Sequence, residues 1–465
     1  MMKTPIYDFL TEYKSKNSTR FHMPGHKGRG PDELGAVSGS DITEITGADF
    51  LFNTSNEGII SESENNASEL FNSAITAYST EGSTLAIKTM LFLSMKGNRR
   101  KILAARNVHK SFINACALID INVDWLYPKG YLNSICSMKL SAADLENTLA
   151  SYENDELPSA VYITTPDYLG NMLDVQELSN VCKRYNIPLL VDNAHGAYLN
   201  FFKDNMHPIS LGADMCCDSA HKTLPCLTGG AYLHISKNTR DEFKNRADIK
   251  EAMQIFATTS PSYLILESLD LCNRILSDEE YIDKIHKVCK RVNKLKSEIK
   301  SIGFDVIDSL NTEPLKLVLL TKNLGINGKE LLCSLENKNI YCEYADISAV
   351  VLMISPENNE SDFNALLSAL KVIKKSTSDI PVSDYIGNED IFLQATEQKM
   401  SIRNALFSKS ETIPIDKALG RICASSVSIC PPCIPLVISG EVFDQNTINL
   451  LKKYSIFSVN VVQCQ

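Results

Sequence analysis

Long apolar runs are missing from this chain. The strongest candidates, "LKLVLL" and "AVVLMI", are strand-sized, far short of the roughly 20 residues that a membrane span takes, so no membrane partner is expected. The start, "MMKTPIYDFLTEYKSKNSTR", lacks an apolar signal core, which argues against secretion. An excess of positive charge is also missing: 46 Lys and Arg stand against 56 Asp and Glu, a net charge of -10. Nucleic acid is therefore not the expected partner. Paired C-x-x-C motifs are missing too. The 14 cysteines are scattered, several within apparent helices ("NACALID", "NVCKRY", "HKVCKR"), a pattern that suits buried thiols in a reducing cytoplasm. The single C-x-x-C, from Cys430 to Cys433 in "CPPC", has no second pair and no β-α-β context, and reads as a rigid loop rather than a redox or metal motif.

What is present is an alternation. "KILAAR", "VDWLYP", "AVYITTP", "IPLLVD", "DMCCDS" and "GGAYLHIS" read as strands, with "KSFINACALID", "AADLENTLASY" and "VQELSNVCKRY" as helices between the earlier ones. Continuous Val/Ile/Leu runs between helices predict strands covered on both faces, hence a mostly parallel sheet of the α/β class. A long charged helix follows, and then a mixed pattern: "LKLVLL", a helix near "NGKELLCSLENKN", "AVVLMIS", and a helix near "DFNALLSALKVIKK". The expected organisation is an N-terminal arm over 1–30, a large domain over 31–279 and a small α+β domain over 280–375. A polar, proline-containing linker over 376–390 and a C-terminal unit over 391–465 complete it.

In a parallel α/β sheet, ligands bind outside the carboxyl ends of the strands. Three chemically suggestive features stand at such ends. Asp192 closes "IPLLVD". Lys222 follows "DMCCDS" in "SAHKTLPCLTGG". "STEGSTLAIK" (Ser79 to Lys88) is a small-residue turn opening a helix, where backbone N–H groups and the helix dipole favour a phosphate. Singly each has a bland reading: a helix cap, a solvated loop lysine, an ordinary N-cap. Together, an amine, a carboxylate and a phosphate cradle are what pyridoxal phosphate requires.

The residues then become recognisable. "FHMPGHKGRG" (Phe21 to Gly30), "DITEITGADFLF" (Asp41 to Phe52), "STEGST", "RNVHKS" (Arg106 to Ser111), "VDNAHGAYL", "SAHKTLP" and "TTSPSYLI" (Thr258 to Ile265) resemble the Orn/Lys/Arg decarboxylases of the major-domain group, as do the C-terminal "ALGRICA" and "PPCIPLVISGE". The resemblance spans nearly the whole chain and is nearest to the compact bacterial arginine and lysine enzymes. It implies the aspartate-aminotransferase fold (fold type I), pyridoxal phosphate, and release of CO₂ from a basic amino acid, with arginine or lysine favoured over ornithine.

By the same resemblance, Lys222 would hold the cofactor as an imine, Asp192 would pair with its pyridine nitrogen, and His109 would stack on the ring and return a proton to Cα. Ser83, Thr84, Ser219 and His221 would hold the phosphate, and His195 would line the other side. Thr259 or Ser260 would reach in from a second subunit of a homodimer or an assembly of dimers. His26 is open between a loop-structural and a substrate-side role. Glu44, Asp49, Asp167 and Glu441 are candidates to meet the substrate's distal cation. The chain departs from the family pattern at Asn193, commonly acidic, at Gly229, where a polar residue is frequent, and at Cys433, usually glycine.

One further absence bears on the choice of reaction. Between Arg291 and Arg403 there is no arginine, so the carboxylate clamp that an aminotransferase draws from its small domain is missing. An aminotransferase or lyase of the same fold, and a catalytically inactive regulatory homologue, are the alternatives. Retention of Lys222, Asp192 and His109 speaks against the second.

Overall fold

The computed structural model describes all residues except 1, 31, 36, 44, 46, 98–99, 129–133, 322, 378–394, 430–432 and 464–465. The linker expected over 376–390 therefore falls, beyond Thr377, outside the described residues, as do Glu44 and Cys430. No helix among the described residues is long and apolar enough to cross a membrane.

Seven strands form the principal sheet: β1 (Ile75–Ser79), β2 (Lys101–Ala105), β3 (Asn122–Leu126), β4 (Ala160–Thr164), β5 (Leu189–Asp192), β6 (Met215–Asp218) and β7 (Ala231–Ile235), in the order β1-β7-β6-β5-β4-β2-β3. β2 pairs with β3, and β5 with β6, in parallel. β7 is antiparallel to both its neighbours. The fold is α/β, as the alternation of apolar runs and helices predicts.

The chain divides into two compact units. The first comprises residues 1–99, 153–162 and 174–283. Its strands β5, β6 and β7 are completely buried, as strands covered on both faces must be. The N-terminal helix Pro5–Ser15 is held by Asp270, whose Oδ2 accepts from the N–H groups of Ile6 and Tyr7, both at 3.0 Å. A carboxylate at these orphan donors satisfies them and complements the helix dipole.

The second unit comprises 100–152, 163–173 and 284–465. It contains a four-stranded antiparallel sheet, β10-β11-β9-β8, built from β8 (Asp305–Val306), β9 (Lys316–Leu320), β10 (Tyr344–Ala345) and β11 (Ala349–Met353). The C-terminal part adds two hydrogen-bonded pairs, β12 (Ser410–Pro414) with β15 (Ser458–Val462) and β13 (Val427–Ile429) with β14 (Ile434–Val437). One apolar core joins them: Val318 and Val351 pack in the same cluster as Ile415, Val437, Phe443 and Leu451. Polar ties reinforce it. Arg403 Nη1 donates to the carbonyls of Ala117 (2.9 Å) and Leu118 (3.1 Å) at the end of the helix Lys110–Ile119, where a cation complements the dipole.

Candidate active site

In the first unit, β5 and β6 end side by side, with Asp192 opposite Cys217 in register. Their two C-terminal loops therefore start together. From the β5 loop come Asp192 and His195; from the β6 loop come Ser219, His221 and Lys222. Lys222 Nζ lies 3.2 Å from His195 Nε2, which joins the two loops across the strand ends.

Asp192 is buried. Its Oδ1 accepts from the Ala194 N–H (3.2 Å) and the Cys217 thiol (3.6 Å), and its Oδ2 from the Tyr162 hydroxyl at a long 3.3 Å. These are modest donors for a carboxylate taken out of water. A cationic ring N–H would suit it better.

The helix Gly82–Ser94 begins beside this point. Its N-cap, Glu81, makes no side-chain bond to the first turn, so no acidic cap competes for an anion there. Ser219 Oγ donates to Ser83 Oγ at 2.8 Å, tying the start of this helix to the turn that carries Lys222. Two glycines allow the approach. Gly82 has φ +66° and donates its N–H to Gly229 O at 2.8 Å. At Gly229 (φ +99°), a Cβ would come within 2.9 Å of the Thr80 carbonyl oxygen. A side chain at this position would collide with backbone.

His221 Nδ1 is 2.9 Å from Gly230 O, so the ring donates from Nδ1. Burial, with the nearby Lys222 charge, holds this imidazole below its ordinary pKa despite the carbonyl, and it is neutral at physiological pH. Thr223 Oγ1, in the same turn, is buried with no hydrogen-bond partner among the described residues. The donor set (an amine, a buried carboxylate, two hydroxyls at a helix start and a neutral imidazole) fits a planar, phosphorylated pyridine aldehyde.

Other sequence-predicted residues lie elsewhere. Thr259 and Ser260 are exposed, and the neighbouring Thr258 N–H donates to Glu81 Oε1 of the same chain at 2.7 Å. His26 Nε2 is 3.1 Å from Asp41 Oδ2. Asp49 is buried, with Oδ1 bonded to Phe50 N and Asn53 Nδ2 and with Oδ2 lacking a hydrogen-bond partner among the described residues.

In the second unit, His109 is the N-cap of the helix Lys110–Ile119, its Nδ1 fixed by Ser111 Oγ (2.8 Å) and Ser111 N (3.1 Å). Lys110 N–H donates to Cys433 O at 2.9 Å. Cys433 has φ +60°, the left-handed region that glycine occupies without cost. Asp167 accepts from the N–H groups of Leu169 and Asn171 (both 2.9 Å) and from Asn171 Nδ2 (2.8 Å). Burial raises its carboxyl to about 6 in spite of them. Glu441 is 2% exposed and lies 3.5 Å from Arg106 Nη2, while its Oε2 accepts from Ile438 N at 2.7 Å. Arg106 itself was not a sequence candidate. It also donates to the carbonyls of Pro435 (2.7 Å) and Leu436 (3.2 Å).

An amine, a buried carboxylate and hydroxyls at a helix start, gathered at the strand ends of an α/β sheet, fit the class of pyridoxal-phosphate enzymes. Solved structures agree on the fold. The lysine decarboxylase of Francisella novicida superposes with a TM-score of 0.83 at 17% identity, over 99% of this chain and 81% of that one. The serine palmitoyltransferase of Sphingomonas wittichii superposes more distantly, with a TM-score of 0.57 at 13% identity over 82% and 86%. The particular family follows from the sequence. This chain belongs to the Orn/Lys/Arg decarboxylase family, whose major-domain model matches residues 4–313 and whose C-terminal-domain model matches residues 388–459. Among curated proteins, the arginine decarboxylase of Bacillus anthracis is 29% identical over 97% of this chain and 93% of its own length. That of Bacillus subtilis is 28% identical over the same shares.

Proposed function

We propose that the strand-end cluster of Lys222, Asp192, His195, Ser83 and Ser219 is the cofactor site of a decarboxylase that removes CO₂ from arginine or lysine. That the chain is a pyridoxal-phosphate-dependent decarboxylase of a basic amino acid follows from its family and fold. The residue roles and the choice of amino acid are our reading. The observation that carries it is the 3.2 Å approach of Lys222 Nζ to His195 Nε2, in the loop that follows the buried Asp192.

When bound, pyridoxal phosphate supplies an electron sink for the pair released as the bond from Cα to the carboxylate breaks. The chain's residues prepare that event. Lys222 presents its amine to the cofactor's aldehyde carbon, and His195, the neighbour of that amine, is placed to exchange a proton with it. Asp192 keeps a proton on the pyridine nitrogen, because a buried carboxylate favours a cation beside it. Ser83, Thr84 and Ser219 would donate their hydroxyls to the phosphate, and His221, whose Nδ1–H goes to Gly230 O, would line that site without adding a donor. His109 is assigned the return of a proton to Cα on the family resemblance. Loss of the carboxylate rather than a proton is favoured where no arginine clamps it, consistent with the arginine-free stretch from 292 to 402.

Arginine stands ahead of lysine because the curated relatives matched at 28–29% identity are named arginine decarboxylases. The exposed Thr259 and Ser260 suit a second subunit's phosphate site, which makes a dimer the smallest active unit. The described cysteines form no disulfide, which suits a reducing cytoplasm. The test is CO₂ release by the purified protein on arginine, lysine and ornithine. Turnover on arginine or lysine well above ornithine is expected. Turnover on ornithine alone, or amino-group transfer without CO₂, would overturn the assignment.

A further inference from the structure

Strand β6 ends on Asp218, the residue before Ser219, and Asp218 is wholly buried. Alternation along the strand sends Cys217 toward Asp192 and sends Cys216 and Asp218 to the opposite face. An anion buried there needs several donors, and four are in place. His207 Nε2 (3.0 Å) and His234 Nε2 (3.1 Å) both meet Oδ2, and Asn193 Nδ2 donates to Oδ1 at 2.7 Å; the Cys216 thiol adds a fourth, weaker donor to Oδ1 at 3.7 Å. Burial pushes this carboxyl up, but the two imidazoles outweigh it and hold it well below the usual carboxylate range. Asp218 is therefore ionised.

The side chains of His207, Cys216 and Asp218 could together hold a metal, their ligand atoms all lying within 4.8 Å of one another. The hydrogen bonding argues otherwise. Ile209 N–H donates to His207 Nδ1 (3.4 Å), which puts the imidazole proton on Nε2, facing Asp218. A nitrogen carrying a proton is a donor, not a ligand. His234 is likewise anchored at its other end, Nδ1 lying 2.8 Å from Thr76 Oγ1. Burial lowers the His234 pKa although Asp218 opposes this. The cluster is a carboxylate solvated by fixed donors.

One of those donors leads to the active site. Asn193 directly follows Asp192 and is itself fully buried. It is pinned twice to β6, by its backbone N–H to Cys217 O (3.0 Å) and by its side chain to Asp218. The loop is built around this rotamer: a Cβ on Gly196 would come within 2.0 Å of Asn193 Oδ1. We propose that Asp218 is a positioning residue for the cofactor. Held by His207 and His234, it fixes Asn193 and thereby the aim of Asp192, and it also sets the start of the turn that carries Ser219 and Lys222. The proposal rests on the assignment of Asp192 and Lys222 to the cofactor.

The test titrates cofactor-free protein with pyridoxal phosphate, recording the dissociation constant, the visible and near-ultraviolet bands of the bound cofactor, and the melting temperature of the cofactor-free form. Asp218→Asn and Asn193→Ala should each weaken binding about tenfold, the loss of one hydrogen bond to a charged group. Each should also shift intensity between the two bands, which a merely structural role would not do. The double variant should be no worse than the weaker single, because the two residues act through one link. Asn193→Ala leaves Asp218 its two imidazoles, so it decides the matter even if Asp218→Asn fails to fold. Wild-type affinity and bands in Asn193→Ala would overturn the proposal, whatever happens to its melting temperature. A wild-type protein with no visible band would refute the cofactor assignment itself, and this proposal with it.

Discussion

Glu441→Gln removes the charge from one half of a buried ion pair while leaving its shape. Arg106 and Glu441 are 3% and 2% exposed, and the guanidinium lies 5.5 Å from the centre of the Trp125 ring, so water cannot replace the lost partner. Breaking such a pair from one side costs roughly 3–5 kcal/mol, because the remaining charge stays buried. Two features reduce this. The separation of 3.5 Å is long for an ion pair, and Arg106 keeps its bonds to Pro435 O and Leu436 O. A destabilisation of about 2–3 kcal/mol is expected, and a melting temperature lower by on the order of 5 °C. Urea unfolding followed by circular dichroism, with KM measured on arginine in parallel, distinguishes a structural Glu441 from one that meets the substrate. An unchanged unfolding midpoint together with a KM raised more than tenfold would refute the reasoning and place Glu441 on the substrate.

Three further outcomes follow from the same geometry. Asp192→Asn should lower kcat by a large factor while leaving the fold intact, since it removes the carboxylate proposed to keep the ring nitrogen protonated; near-normal turnover would mean that another group does so. Burial raises the Asp270 carboxyl to about 6 even though it accepts from Ser63 and from the N–H groups of Tyr7 and Ile6. The folded state therefore binds this proton more tightly than the unfolded state, and stability falls as pH rises from about 4 through 6. Asp270→Asn should flatten that part of the stability profile, and an unaltered profile would contradict it. Finally, Lys222→Ala protein mixed with a Thr259→Ala/Ser260→Ala variant should regain part of its activity through hybrid dimers. Full activity of a strictly monomeric species would contradict the shared site.

Much of the fold was legible because each strand carries its own signal. "IPLLVD" and "DMCCDS" are short apolar runs that end on a carboxylate, and they became β5 and β6 with Asp192 and Asp218 at their ends. The antiparallel setting of β7 was not legible, since period and composition report burial and not direction. Nor was the job of Arg106, whose partners lie more than 300 residues away in the chain. The Asp218 cluster was hidden for the same reason. His207 sits in a loop and His234 in an apolar strand, and only the β6–β7 register brings the second of them to Asp218. A buried aspartate closing an apolar strand was the available signal, because such a charge demands partners. Asp192 drew that inference and Asp218 did not.

The most direct test of the account is the location of the cofactor. The protein incubated with pyridoxal 5'-phosphate, reduced with borohydride, digested and analysed by mass spectrometry should carry the pyridoxyl group on the peptide containing Lys222, with the visible absorption lost on reduction. A pyridoxyl group on any other lysine, or none, would contradict the placement of the active site at the ends of β5 and β6.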